Sequence, residues 1–259
     1  MIKMIKEMKY NNGFIELMSE LAAINPQLIF KKKEGDEDTL SVRAIAADKS
    51  VVYFLEAPKD YFAFESNSLS VIDFNRLVSY YNVFNNPNSD PKKNEVPEMS
   101  IEYNNDQCDE SVVLHIKSSL RNANLKHRLA NEDVITKPTF SKVKFPSVDA
   151  IVNLTEDQQK TINARLKLIG ADRMKYAFSG DTLTLTLFTT KTGDTYAEDY
   201  KLDEAVTENF ELVTPATGFS LLPVGNFKVN VSKAGIMEFK QLRDDAVDLS
   251  LYIAKAKND

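Results

Sequence analysis

Cysteine occurs once in the 259 residues, at Cys108, and tryptophan does not occur at all. A single thiol excludes an intrachain disulfide framework and a thiolate-ligated metal site, and it fits a reducing compartment such as the cytoplasm. Glycine is scarce as well: there are eight, and none falls in a G-x-x-x-x-G-K or G-x-G-x-x-G pattern, so no glycine loop cradles a nucleotide phosphate. The two histidines are isolated, His115 on the polar side of the strand-like V-V-L-H-I-K and His127 in L-K-H-R. Neither is partnered with a cysteine or serine in a nucleophilic or metal-binding arrangement. The acidic groups Asp106, Asp109 and Glu110, and Asp244, Asp245 and Asp248, lack the spacing and central glycine of a calcium loop and read as hairpin turns. These absences argue against an enzyme and imply no cofactor and no metal. No apolar run approaches the roughly 18–20 residues of a membrane span. Lysines interrupt every apolar pair of the opening M-I-K-M-I-K-E-M-K-Y, which predicts neither an export signal nor an anchor.

What is present is a chain able to bury a core, 43% hydrophobic and long enough for one large or two ordinary domains. Its net charge of −6 argues against a surface that coats nucleic acid all over but leaves room for a local basic face. The most informative stretch is residues 151–187. Thr155 and Gln158 form an S/T-x-x-E/Q capping box, with Glu156 and Asp157 in the first turn, Arg165 and Lys167 in the last, and Gly170 just beyond. On the helix so predicted, Ile162, Leu166 and Ile169 share one face, and Lys160 and Lys167, seven apart, point almost directly away from it. One face is core and the other is basic. The period then switches to two across Met174 and Phe178, a Ser179-Gly180-Asp181 turn, and Leu183, Leu185 and Leu187 alternating with threonines, a hairpin.

Taken in order, residues 1–8 predict a strand and Asn11 or Asn12 a helix cap. Phe14, Leu17, Met18, Leu21 and Ile24 make an apolar stripe that Asn25-Pro26 ends. Strands are predicted at 28–32, 39–46, 50–55 and 61–65. A second helix lies within 70–84, capped by Asp73, with Phe74, Leu77, Val78 and Tyr81 inward and Arg76 outward. Residues 85–97 form a polar loop, 99–103 and 111–117 a hairpin, and 126–129 a further strand. Residues 130–144 have little periodicity and contain Pro138, so they read as a linker. The order then repeats: a strand at 142–148, the helix at 155–168, the hairpin, a strand at 195–202, residues 208–213 leading to a short helix near 214–222, and a meander over 226–231, 236–241 and 248–254. The repeat predicts an N-terminal domain at 1–130, a linker at 131–144 and a C-terminal domain at 145–259.

This order, given twice, resembles DNA sliding clamps of the T-even bacteriophage type and, more distantly, the proliferating-cell clamp. The likeness is carried by V-I-D-F-N-R-L-V-S-Y-Y, F-P-S-V-D-A-I-V-N-L-T-E-D-Q-Q-K-T-I and L-L-P-V-G-N-F-K-V-N-V. It implies an α+β, two-domain clamp fold, with antiparallel sheets outside and helices lining a central hole, three chains closing head to tail into a homotrimeric ring around double-stranded DNA. It also implies a replicative DNA polymerase tethered for processivity, an ATP-driven clamp loader as a further partner, no bound nucleotide, no membrane, and a place in the cytoplasm, the host's if the chain is viral. The DNA-facing set expected from helical phase is Lys160 and Lys167, then Arg76, with Arg165 and Arg173 on the flank. The partner-peptide pocket is expected at Ile135, Pro138 and Phe140 in the linker and at Leu251 and Ile253 near the C-terminus. The first helix departs from the family, since Glu16 and Glu20 stand opposite its apolar stripe, where hole-lining helices tend to be basic. Competing readings are a β-rich virion or scaffold protein, which has no reason to set basic residues opposite the core stripe of equivalent helices, and a two-domain carrier, which needs a large apolar cavity.

Overall fold

A computed structural model describes residues 4–10, 12–33, 35–85, 95–136, 138 and 143–256. The chain divides into two compact units, one made of residues 1–44 and 55–137 and the other of residues 45–54 and 138–259. Among the described residues each contains two α-helices packed with antiparallel strands.

The first unit begins with β1 (Met4–Tyr10), α1 (Asn12–Ile24), β2 (Leu28–Lys33), β3 (Asp36–Ile45) and β4 (Val51–Pro58). It continues through β5 (Phe62–Ala63), β6 (Ser68–Val71), α2 (Phe74–Phe84), β7 (Glu98–Tyr103), β8 (Ser111–Ser118) and β9 (Ala123–Arg128). One sheet runs β5-β1-β7-β8-β9 and ends on β9; the other strands of this unit are ordered β4-β3-β2-β6. α1 and α2 pack together, and their phenylalanines fuse the core: Phe14 stacks on Phe62 with centroids 4.1 Å apart and meets Phe74 edge-on at 6.2 Å. Such pairs add to area burial because ring edges and faces carry opposite partial charge. Asp73 caps α2 as expected, accepting from the Arg76 N–H at 3.0 Å.

The second unit holds β10 (Ala150–Leu154), α3 (Glu156–Ile169), β11 (Arg173–Ser179), β12 (Thr182–Phe188) and β13 (Thr195–Lys201). β14 (Phe210–Pro215), α4 (Ala216–Ser220), β15 (Phe227–Ser232), β16 (Ile236–Gln241) and β17 (Asp248–Ala254) complete it. One sheet is ordered β13-β12-β11-β14; the other runs β10-β15-β16-β17 and continues to β4, whose residues 51–54 belong here. The core is drawn from the inward residues of both sheets, among them Tyr176, Phe178, Leu185, Phe227, Phe239, Leu251 and Ile253, closed by Ile162, Leu166 and Phe219 from the helices.

Several expectations differ from the structure. The strand leading into α3 lies at Ala150–Leu154 rather than 142–148, paired residue for residue with β15 from Ala150↔Val231 to Leu154↔Phe227. Pro146 has no N–H to give a ladder, whereas Ile151 and Val152 are β-branched and favour one. The strand expected at 61–65 is reduced to Phe62–Ala63, and Ser68–Val71, adjoining the second helix, is a strand that pairs with β2. α4 is shorter than 214–222. His115, expected on the solvent side of its strand, is buried beside Glu102, with 3.2 Å between Nε2 and the carboxylate Oε2. β8 lies between β7 and β9 and buries the consecutive residues Leu114, His115 and Ile116, so both of its faces are covered. Residues 1–3 of the expected first strand and 86–94 of the polar loop lie outside the described residues, as do 137 and 139–142 of the linker. Among the described residues no helix is long and apolar enough to cross a membrane.

Candidate nucleic-acid interface and partner pocket

The basic face is set by how α3 is started, stopped and turned about its axis. Thr155 Oγ1 accepts from the Gln158 N–H at 3.2 Å, and Gln158 Oε1 accepts from the Thr155 N–H at 2.9 Å, which closes the capping box. At the other end Gly170 takes the left-handed conformation (φ 63) and its N–H returns to the Leu166 carbonyl, a stop that glycine makes without the steric penalty of a Cβ. Rotation is fixed by Ile162, Leu166 and a third buried residue, Gln159. The Gln159 amide donates to the carbonyls of Pro223 at 2.8 Å and Leu222 at 3.3 Å, and its oxygen accepts from the Gly225 N–H at 3.1 Å. A buried amide so satisfied holds one orientation, because any other leaves its polar atoms without partners. Gln159 stands one turn before Ile162 on the apolar face, and its polarity hid it from a search for apolar periodicity.

Lys160 and Lys167 therefore both face solvent, seven residues and about 10 Å apart along the axis. Lys160 pairs with Glu156 one turn earlier, and the hydrogen bond to that carboxylate, with its charge, raises the lysine pKa. An exposed pair of this kind yields readily to a competing phosphate. Lys167 makes no ion pair with any described residue. The other expected cations are more engaged. Arg165 is half-buried, ion-paired with Glu198 and stacked 4.7 Å from the Tyr196 ring centroid. Arg173, also half-buried, donates from Nη1 to the Asp172 carbonyl at 3.3 Å. Arg76, in the first unit, is exposed; its Nε donates to the Tyr80 hydroxyl at 2.7 Å and its guanidinium lies 5.5 Å from that ring. Lys160, Lys167, Arg165 and Arg173 thus come from one unit and two adjacent elements. Glu16 and Glu20 are exposed on α1, the acidic departure read from the sequence.

The residues expected to receive a partner peptide fall differently. Phe140 lies outside the described residues. Ile135 is buried at the end of a short 3-10 turn, Glu132–Val134, and Pro138 is buried too. Leu251 and Ile253 are buried in the core of the second unit, 0% and 1% exposed, with Ile253 against Gly218. Alternation along β17 sends the neighbouring residues the other way. Tyr252 and Ala254 line an open pocket of about 310 Å³, together with Val52, Val143, Ile236 and the aliphatic stem of Lys144. The Tyr252 hydroxyl donates to Glu238 Oε1 at 2.5 Å and its ring meets Phe54 edge-on at 5.8 Å, so the aromatic wall is fixed. The turn beside it is rigid as well. Asp48 Oδ1 accepts from the Ser50 N–H at 2.9 Å and the Ser50 hydroxyl at 2.6 Å, and Asp48 Oδ2 accepts from Thr217 Oγ1 at 3.2 Å. An apolar depression with fixed walls and a few polar groups at its rim suits an apolar side chain presented by a short peptide.

No protein-family model matches the chain, and no curated protein matches it by sequence. Solved structures do. PCNA of A. fulgidus, solved with the C-terminal region of FEN-1 bound to it, is 12% identical, with 99% of this chain and 100% of that chain covered and a TM-score of 0.69. PCNA of Entamoeba histolytica is 13% identical, with 98% and 100% covered and a TM-score of 0.69. A PCNA2–PCNA3 complex from Sulfolobus tokodaii aligns at 12% identity over 97% of this chain and 99% of that one, with a TM-score of 0.62. At these identities the likeness defines the fold, and from end to end this chain has the two-domain fold of the PCNA-type sliding clamps.

Proposed function

We propose that this chain is the subunit of a DNA sliding clamp, a non-enzymatic ring that encircles duplex DNA and tethers a replicative polymerase. The observation that carries the reading is the clamp fold over nearly the whole chain combined with a basic, solvent-facing side of α3. Lys160 and Lys167 lead the DNA-facing set and Arg76 joins it from the first unit, while Arg165 and Arg173, already engaged with protein groups, flank it. Lysine ammoniums on a helix surface meet phosphates through exchangeable, salt-sensitive contacts that carry no sequence information. A topologically linked ring needs no tighter grip, and weak contacts let it slide. Three copies at −6 each give about −18, a field that disfavours DNA on the outside and leaves the basic face as the place where phosphates gather.

Closure draws on two open sheet edges. β9 ends one sheet of the first unit and β13 ends one sheet of the second; A-N-L-K-H-R carries two cations and T-Y-A-E-D-Y-K two carboxylates against one lysine. Addition of β9 from one copy to β13 of the next satisfies both edges with main-chain hydrogen bonds and opposite charge. Three such junctions close a homotrimer. The pocket at Tyr252 is the site assigned to the short apolar peptides of polymerase and loader, a mode in keeping with the peptide region bound to the A. fulgidus protein. Within the clamps, the residues quoted above favour the T-even bacteriophage type, working in the host cytoplasm with an ATP-driven loader. The reading predicts a species near 88 kDa, three chains of 29.2 kDa, by light scattering during size exclusion, giving way to monomer on dilution. A strictly monomeric chain at tens of micromolar contradicts it.

A further inference from the structure

Arg165 is unlike the other cations of α3. Its guanidinium is held by Glu198 and by the face of Tyr196, both on β13. Glu198 is itself the centre of a cluster, accepting from the Tyr200 hydroxyl at 2.8 Å and the Tyr196 hydroxyl at 3.3 Å. Tyr196, Glu198 and Tyr200 alternate along the strand and so share its α3-facing side, half-buried, while Thr195, Ala197, Asp199 and Lys201 are exposed. Burial raises the Tyr200 phenol pKa, with Arg165 opposing, so the hydroxyl stays a donor. β13 needs such a brace. Among the described residues it pairs only with β12, and no described strand pairs with its other edge. A strand held along one edge, with little apolar surface of its own, frays readily.

We infer that the Arg165–Glu198–Tyr196–Tyr200 cluster is a positioning device that holds the open edge of β13 extended and in register for strand addition by a second copy of this chain. The inference rests on the ring reading and deepens it. Arg165 then serves ring closure through β13 before it serves DNA. The physical ground is pre-organisation: a planar guanidinium fixed by a carboxylate and an aromatic face loses little further freedom when the partner strand arrives, so the ordering of β13 is already complete before association. It also ties the helix proposed to face DNA to the edge proposed to close the ring.

The test measures the dissociation constant of the assembled full-length protein by light scattering over a dilution series, for wild type, Arg165→Met, Glu198→Gln and the double variant. Hydrogen exchange on the monomer accompanies it. Arg165→Met and Glu198→Gln are each expected to raise the dissociation constant about tenfold, with the double variant within threefold of either single one, because both remove the same brace. Exchange is expected to rise in β13 while β11 and β12 keep their protection. Thr161→Ala, exposed on the same helix but outside the cluster, leaves the dissociation constant unchanged. Single variants within threefold of wild type overturn the inference, as does exchange that rises equally through β11 and β12, which marks general loosening. A wild-type chain that never assembles overturns the ring reading itself, a result distinct from assembly that ignores Arg165.

Discussion

At His127 the imidazole is buried, 6.0 Å from the Tyr80 ring, and its Nε2 has no hydrogen-bond partner among the described residues. Burial lowers its pKa below 6.5, the positive charge of Arg76 adds to the effect, and Asp73 opposes it. The folded state therefore keeps the ring neutral at pH values where the unfolded chain already binds a proton. Stability is full above about pH 6.5 and falls as pH drops below it, levelling off once the folded-state pKa is passed, with about 1.4 kcal/mol lost for each unit between the two values. The thermal midpoint is expected to fall more steeply between pH 7 and pH 5 in wild type than in His127→Gln; equal slopes contradict this. Little of it was legible in the sequence. L-K-H-R shows a histidine among cations but not the Tyr80 ring 47 positions earlier. Gln159 and Arg165 teach the same lesson: each is polar, and each is fixed by groups more than 30 residues away along the chain.

At the scale of elements, local chemistry was readable and pairing was not. The α3 cap, its stop at Gly170 and the hairpin of β11 and β12 depend on residues within a few positions of one another, and the structure has them where the sequence predicts. Thr155→Ala removes the side-chain acceptor for the Gln158 N–H and is expected to destabilise the protein by about 1 kcal/mol, a fall in thermal midpoint of about 2–4 °C for a chain of this size; a shift below 1 °C would show that the cap is redundant. β10 was misplaced because its identity depends on β15, some 75 residues later. Leu251 and Ile253, expected to receive a partner peptide, are buried in the core, and the pocket proposed for that role lies on the opposite face of the same strand, a difference whose signal was present. Leu249, Leu251 and Ile253 alternate, so the outward members of β17 are Ser250, Tyr252 and Ala254, and it is the outward set that can meet a partner.

For the whole molecule, composition carried more than any motif. One cysteine, two histidines with no cysteine or serine partner in the sequence pattern and no phosphate-binding glycine loop left little chemistry to look for, and the duplicated order of elements pointed to the clamp fold. The grouping of residues 45–54 with the second unit was invisible, because nothing in V-V-Y-F-L-E-A-P distinguishes a neighbour in its own half from β17. The charge logic belongs at this scale as well: the proposed reading takes an acidic chain with Lys160 and Lys167 on the solvent face of one helix as an arrangement that holds DNA in one place only.

The most direct test of that account is topological. The protein is assembled at high concentration on linear duplex DNA, and both ends are then blocked with a bulky bound protein. It is washed in salt on the order of 1 M, where the Debye length shrinks to about 3 Å and phosphate contacts are screened, and the retained protein is measured before and after a single internal cut by a restriction enzyme. A sliding ring stays on the blocked DNA through the wash and leaves once the cut frees an end, and Lys160→Glu with Lys167→Glu lowers the amount loaded. Loss of all protein in the wash, or equal retention on open and blocked DNA, would contradict the claim that this chain encircles its duplex.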